Sequence, residues 1–93
     1  DVMITWDEAK QQQNIAKHGV DFSIAEEVLS GITVTQEDTR ENYGEPRYQT
    51  LGLYRGVVVI LIVHTPRQDV DHIISIRKAD KHEQKHYWQN AIH

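Results

Sequence analysis

Between Val57 and Val63 the chain runs through seven aliphatic residues in a row, VVVILIV, and on either side the pattern becomes periodic. An unbroken apolar run of this length, bounded by turn residues, predicts a strand over 57–65 that is covered on both faces. The flanking segments RYQTLGLY (47–54) and VDHIISIRK (70–78) alternate apolar and polar positions. They predict two more strands, joined to the central one by a tight Arg55-Gly56 turn and a PRQD turn, in an antiparallel meander. ITW (4–6) and ITVTQED (32–38) predict two further strands. The polar segment TRENYGEP, ended by Pro46, is the loop expected to be most mobile.

The remaining stretches have helical spacing. Residues 8–18 predict a helix capped by Asp7, with Trp6, Ala9, Gln13 and Ala16 along one side and Gly19 at the left-handed exit. VDFSIAEEVLSG predicts a second helix, with Ser23 and Glu26 at capping-box spacing, Phe22, Ala25, Val28 and Leu29 as its apolar stripe, and Gly31 as its stop. Asp80 and Glu83 repeat the capping-box spacing and open a C-terminal helix, with Tyr87, Trp88, Ala91 and Ile92 available for packing. The predicted order is β-α-α-β-β-β-β-α, an α+β fold in a single domain over 1–93, with two N-terminal helices and one C-terminal helix on an antiparallel sheet. Strand alternation sends Ile74, Ile76, Leu51 and Leu53 toward the helices. Ile73, Ser75 and Arg77, with Tyr48, Thr50, Gly52 and Tyr54, are then expected on a helix-free face.

Composition bounds what such a domain can be. The 93 residues are 39% hydrophobic and 26% charged, with no cysteine, so the fold stands on one packed core without disulfides or thiolate metal sites. The N-terminus lacks the features of a signal peptide, and the longest aliphatic run is far short of the ~20 residues that span a bilayer. A cytoplasmic protein with no membrane role is expected. Met3 reads as a natural start preceded by two added residues, and His93 as a tail or tag residue.

Charge changes the picture more. The net charge is -4, yet residues 1–46 carry ten acids against three bases, while 47–93 carry four acids against seven bases, formally -7 and +3. Five of the six histidines also lie in the second half. An acidic chain can therefore own a cationic face, and a face that adds tyrosine rings to arginine suits RNA, because cations neutralise phosphates and aromatic rings stack on unpaired bases. Cross-strand packing of the tyrosines and a solvated Arg77 would explain the same residues without RNA. A competing motif is HEQKH, in which His82 and His86 flank Glu83 at the H-E-x-x-H spacing that holds zinc on a helix. It predicts a metallohydrolase with His93 as its sole downstream third ligand.

Three spaced segments, WDEAKQQQNIAKHGVDF, RYQTLG and IISIRKADKHEQKHY, carry a resemblance across nearly the whole chain. The sequence resembles the BrnT toxins of bacterial type II toxin-antitoxin systems. Trp6, Lys10, Asn14, Lys17, His18, Gly19, Phe22 and Ala25 match the N-terminal pattern, and Arg47, Tyr48 and Gly52 the central one. Ile74, Ser75, Arg77, Lys78, Ala79, Glu83 and Tyr87 match the C-terminal pattern. His72 departs from an arginine and His64 from a tyrosine, departures expected to weaken or retune the activity. The resemblance implies a RelE-like fold and ribonuclease activity. It also implies neutralisation by a BrnA-like antitoxin whose ribbon-helix-helix part binds operator DNA. An inactive relative that only pairs with its antitoxin and co-represses DNA is the third reading.

Metal-free RNA cleavage needs a base for the 2′-hydroxyl, an acid for the 5′-oxygen and cations for the phosphorane-like transition state, so no cofactor is expected. His18 is the first acid/base choice, because an imidazole titrates near neutrality, although with Lys17 it would equally complement a helix dipole. Arg77 is the best phosphate clamp, since its fork of donors matches phosphate oxygens, unless an acid of the N-terminal half pairs it. Glu83 is a possible general base that the capping box also explains. Lys10, Lys17, Arg47, Tyr48, Arg67 and Lys78 are expected to contribute RNA binding.

Overall fold

The computed structural model describes residues 2–91, so Ile92 of the expected C-terminal packing and the candidate zinc ligand His93 lie outside the described residues. The apolar run sits where its pattern requires, in the middle of the sheet. Among the described residues the strands are β1 (Ile4–Trp6), β2 (Val34–Glu37), β3 (Tyr48–Tyr54), β4 (Val58–Arg67) and β5 (Val70–Lys78). The helices are α1 (Glu8–His18), α2 (Ala25–Ser30) and α3 (Lys81–Ala91), with a short 3-10 turn over Phe22–Ile24 before α2. The sheet order is β1-β5-β4-β3-β2. The pairs from β2 to β5 are antiparallel, and β1 joins β5 in parallel, so the sheet is mixed.

Both faces of the sheet are covered, which corrects the expected helix-free face. On one face Ile60, Ile62, Ile73 and Ile76 pack against Val20, Phe22, Ala25 and Val28. On the other, Leu51, Val59 and Leu61 pack against Ala79, just before α3, and Tyr87 within it. A 93-residue chain builds two small apolar layers here because every residue of β4 from Val59 to Thr65 is buried, so both of its faces need a cover.

Three local expectations shift for identifiable reasons. Val63 pairs with Ser75 and His64 with Ile73, so Ile74 is the extra residue of a β-bulge. The bulge changes the phase of β5, which buries Ile73 together with Ile76 and leaves Ile74 only half-buried. In β3, Leu51 and Leu53 pack on the α3 side, whereas Tyr54 packs against the α2 core and Gly52 backs onto Val28. A Cβ at Gly52 would lie 2.8 Å from a Val28 methyl group, so only glycine lets α2 approach β3 this closely. The expected second helix opens instead as the 3-10 turn over Phe22–Ile24, with Asp21 rather than Ser23 as its cap, accepting from Ser23 N–H at 2.8 Å.

The first helix turns a different side inward. Ala9, Gln13 and Ala16 are exposed, and the buried positions are Gln11 and Asn14. These amides tolerate burial because each is satisfied. Asn14 Nδ2 donates to the carbonyls of Val20 (3.0 Å) and Ile76 (2.8 Å), and its Oδ1 accepts from Ile76 N–H at 3.1 Å. β1 covers the edge of β5 only at Asp71 to Ile73. Asn14 takes over beyond it, and this brings the last turn of α1 against the open edge of β5. Further along, the PRQD turn shortens to Gln68 and Asp69, both at positive φ (50° and 69°), and Pro66 and Arg67 become strand.

Candidate active site

An open cleft of about 430 Å³ lies where the end of α1, the edge of β5 and the start of α3 converge. Lys17 and His18 come from α1, Arg40 from the β2–β3 loop, Gln49 from β3, Ser75 and Arg77 from β5, and Glu83 from α3. Leu61 and Val63 of β4 complete the lining. Each donor arrives for a local reason. His18 closes a helix that ends at Gly19, whose φ of 71° is the left-handed exit foreseen from the pattern. Ser75 and Arg77 reach this face because the bulge at Ile74 sets the phase of the rest of β5.

Arg77 and Glu83 form the fixed part of the site. Arg77 Nη1 and Nη2 donate to Glu83 Oε1 and Oε2 at 2.7 and 2.8 Å, and Nη1 also donates to the Lys78 carbonyl at 3.2 Å. The partner is thus an acid of the C-terminal helix, not one of the N-terminal half. Glu83 meanwhile completes the predicted capping box, accepting from Asp80 N–H at 2.9 Å while its own N–H donates to Asp80 Oδ1 at 2.8 Å. The Arg77 guanidinium holds the Glu83 carboxyl below its usual value, with the Asp80 amide adding to the effect, and Glu83 in turn raises Arg77. Glu83 takes the end-on edge of the guanidinium, and the Lys78 carbonyl takes the other Nη1 donor. Among the described residues Nε makes no hydrogen bond, so the Nε–Nη2 edge of this 35% exposed side chain is left unpaired.

Arg40 is the cleft cation that sequence reasoning missed. Its Nε and Nη2 donate to Asp38 Oδ1 and Oδ2 at 2.8 and 2.7 Å, which places a 67% exposed side chain over a fully buried carboxylate. The Arg40 hydrogen bonds pull Asp38 well below the usual carboxylate range. The alternation Asp38-x-Arg40 at a strand end was the available signal, but nothing local says that the loop folds toward β5.

The other predicted residues lie elsewhere. Tyr48 is on the opposite face from Arg77, with its ring 6.1 Å from His64, so the expected shared surface does not form. His64, the first family departure, is locked by Thr50 (Nε2 to Oγ1, 2.7 Å) and Asp71 (Nδ1 to Oδ1, 2.8 Å). His72, the second, hydrogen-bonds Thr5 at 3.0 Å, and burial, then nearby Arg67, lowers its pKa. Arg67 pairs with Glu45, and Arg47 lies 3.7 Å over the Tyr43 ring. Lys10 and Lys78 are exposed outside the cleft. His82 and His86 border an adjoining hollow and gather no group of three ligands among the described residues, so the metallohydrolase reading lacks a ligand set there.

This arrangement can hold a phosphate between cations beside an imidazole. Comparison with known proteins gives the family. The family model described as ribonuclease toxin, BrnT, of type II toxin-antitoxin system matches residues 6–83. Among solved structures, the chain is similar to the 1.1 Å crystal structure of the Brucella abortus ribonuclease toxin BrnT. The two share 31% identity and a TM-score of 0.64, with 87% of this chain and 100% of that one covered. No curated protein matches. With the family pattern spanning most of its length and the fold shared, the chain belongs to the BrnT family of ribonuclease toxins of type II toxin-antitoxin systems.

Proposed function

We propose that the chain cuts RNA endonucleolytically without a metal, arrests translation in the cytoplasm, and is held inactive by a BrnA-like antitoxin. The ribbon-helix-helix part of that antitoxin would carry the pair onto operator DNA. The observation that carries this reading is the convergence of Lys17, His18, Arg40 and Arg77 on one open cleft. Arg77 clamps a phosphate oxygen with its free edge, and Arg40 and Lys17 add field, with Lys10 and Lys78 as more distant attraction. His18 moves the proton at the 2′- or 5′-oxygen. Glu83 orients Arg77. Arg47, Tyr48 and Arg67, away from the cleft, would touch only a longer RNA.

The test is cleavage of a defined RNA, with mapped 3′ ends, by folded Arg77→Ala and His18→Ala proteins. Losing a charged donor at a developing oxyanion costs ~3 kcal/mol, about a hundredfold in rate. Thermal melts should move by only ~1 kcal/mol, and EDTA should leave wild-type cleavage intact. Full activity in both variants overturns the site.

A further inference from the structure

We infer that the hollow bordered by His82 and His86 is a subsite for one nucleobase of the RNA, adjoining the phosphate cleft. The inference rests on the ribonuclease reading above and names what would give that activity its base preference. Gln49, Leu61 and Glu83 line both spaces, so a ring seated in the hollow belongs to a nucleotide whose phosphate lies toward Arg77. The volume is about 270 Å³, just below the ~300–1,000 Å³ of pockets that take whole small ligands, which suits one planar ring.

The walls have the chemistry of base recognition. Leu51 and Leu61, each 6% exposed, give an apolar floor with Val34 beside them. Gln36 and Gln49 stand directly opposite each other in the β2–β3 register. Their amides offer donors and acceptors of the kind that read a base edge. His82 and His86, one turn apart on α3, supply imidazole planes of the kind on which a base stacks. Asn90 Nδ2 donates to His86 Nδ1 at 3.3 Å, so in that tautomer His86 Nε2 carries the proton and can donate. The H-E-x-x-H spacing thus has a use without metal: it sets two imidazoles on the hollow while Glu83, between them in sequence, holds Arg77 in the neighbouring cleft.

The probe is a set of short oligonucleotides with 2′-O-methyl riboses, which bind without being cut. They vary one base at a time and are titrated into the full chain alongside cleavage of matching RNA. The wild type should prefer one base at one position by about tenfold. The double variant His82→Ala, His86→Ala should reduce that preference to less than about twofold and raise KM more than it lowers kcat, while melting and antitoxin binding stay put. Gln36→Ala, from the opposite wall, should erode the same preference. Preference unchanged in both variants, or a kcat loss with KM unmoved, overturns the subsite. Base discrimination without cleavage would sink the ribonuclease reading and leave the subsite standing. Cleavage with discrimination intact in the variants would do the reverse.

Discussion

Arg77 presents two edges, and Glu83 occupies one of them. That occupation keeps a long side chain in place before substrate arrives, which lowers the ordering cost of phosphate capture. It also argues against Glu83 as a general base, because a carboxyl held below its usual value by Arg77 is a poor proton acceptor. Glu83→Gln retains an acceptor for Asp80 N–H but removes the charge. Cleavage should then fall by about tenfold, short of the ~10²–10⁴ expected for loss of a general base. The same variant tests pH linkage. With its folded pKa depressed, Glu83 contributes stability that is complete above the unfolded value of 4.5 and disappears as pH falls through the lower folded value. Denaturant melts should therefore lose stability below about pH 4.5 in the wild type, and less steeply in Glu83→Gln.

At the scale of elements, the site depends on two devices that set phase and position. The bulge at Ile74 decides which β5 side chains face α3, and Asn14 decides where α1 lies along β5. Replacing Asn14 with alanine strands the Ile76 N–H and carbonyl and weakens the tie to the Val20 carbonyl, at a cost of about 2 to 3 kcal/mol. For a domain of this size that is a fall in Tm of roughly 10 to 20 °C by calorimetry. Since α1 also carries Lys17 and His18, activity well below the melting point should fall more than melting predicts. An Asn14→Ala protein with a wild-type Tm would mean the amide is dispensable. The amphipathic pattern could not reveal this contact: periodicity looks for apolar stripes, and the inward side of α1 is amide.

For the whole molecule, inhibition is most simply achieved by filling the cleft. The cationic lining sits within a chain of net charge -4, so an acidic antitoxin segment finds attraction at the cleft and repulsion over much of the rest. In the complex, hydrogen exchange should slow at Lys17, His18, Arg40 and Arg77, and added RNA should compete with the antitoxin. A complex in which these residues exchange as fast as in the free chain would rule out direct occlusion and require inhibition from a distance.

Element type and order were legible because they depend on local physics. The β4 apolar run, the left-handed exit at Gly19 and the Asp80–Glu83 box each name their structure within a few residues. That the end of α1, with His18, would come near the last strand was also foreseeable, and both His18 and Arg77 line the cleft. What only the tertiary structure decided was facing. A single bulge residue inverts the phase of a strand, and α3 folding across the sheet turned the supposed open face into a second core. Tyr48 left the site for that reason, and Arg40 entered it because Asp38, buried at the end of β2, steers the loop across a gap in sequence that no periodicity spans. Register and layer assignment are set by contacts between residues far apart along the chain, and a pattern read along the chain carries no information about them.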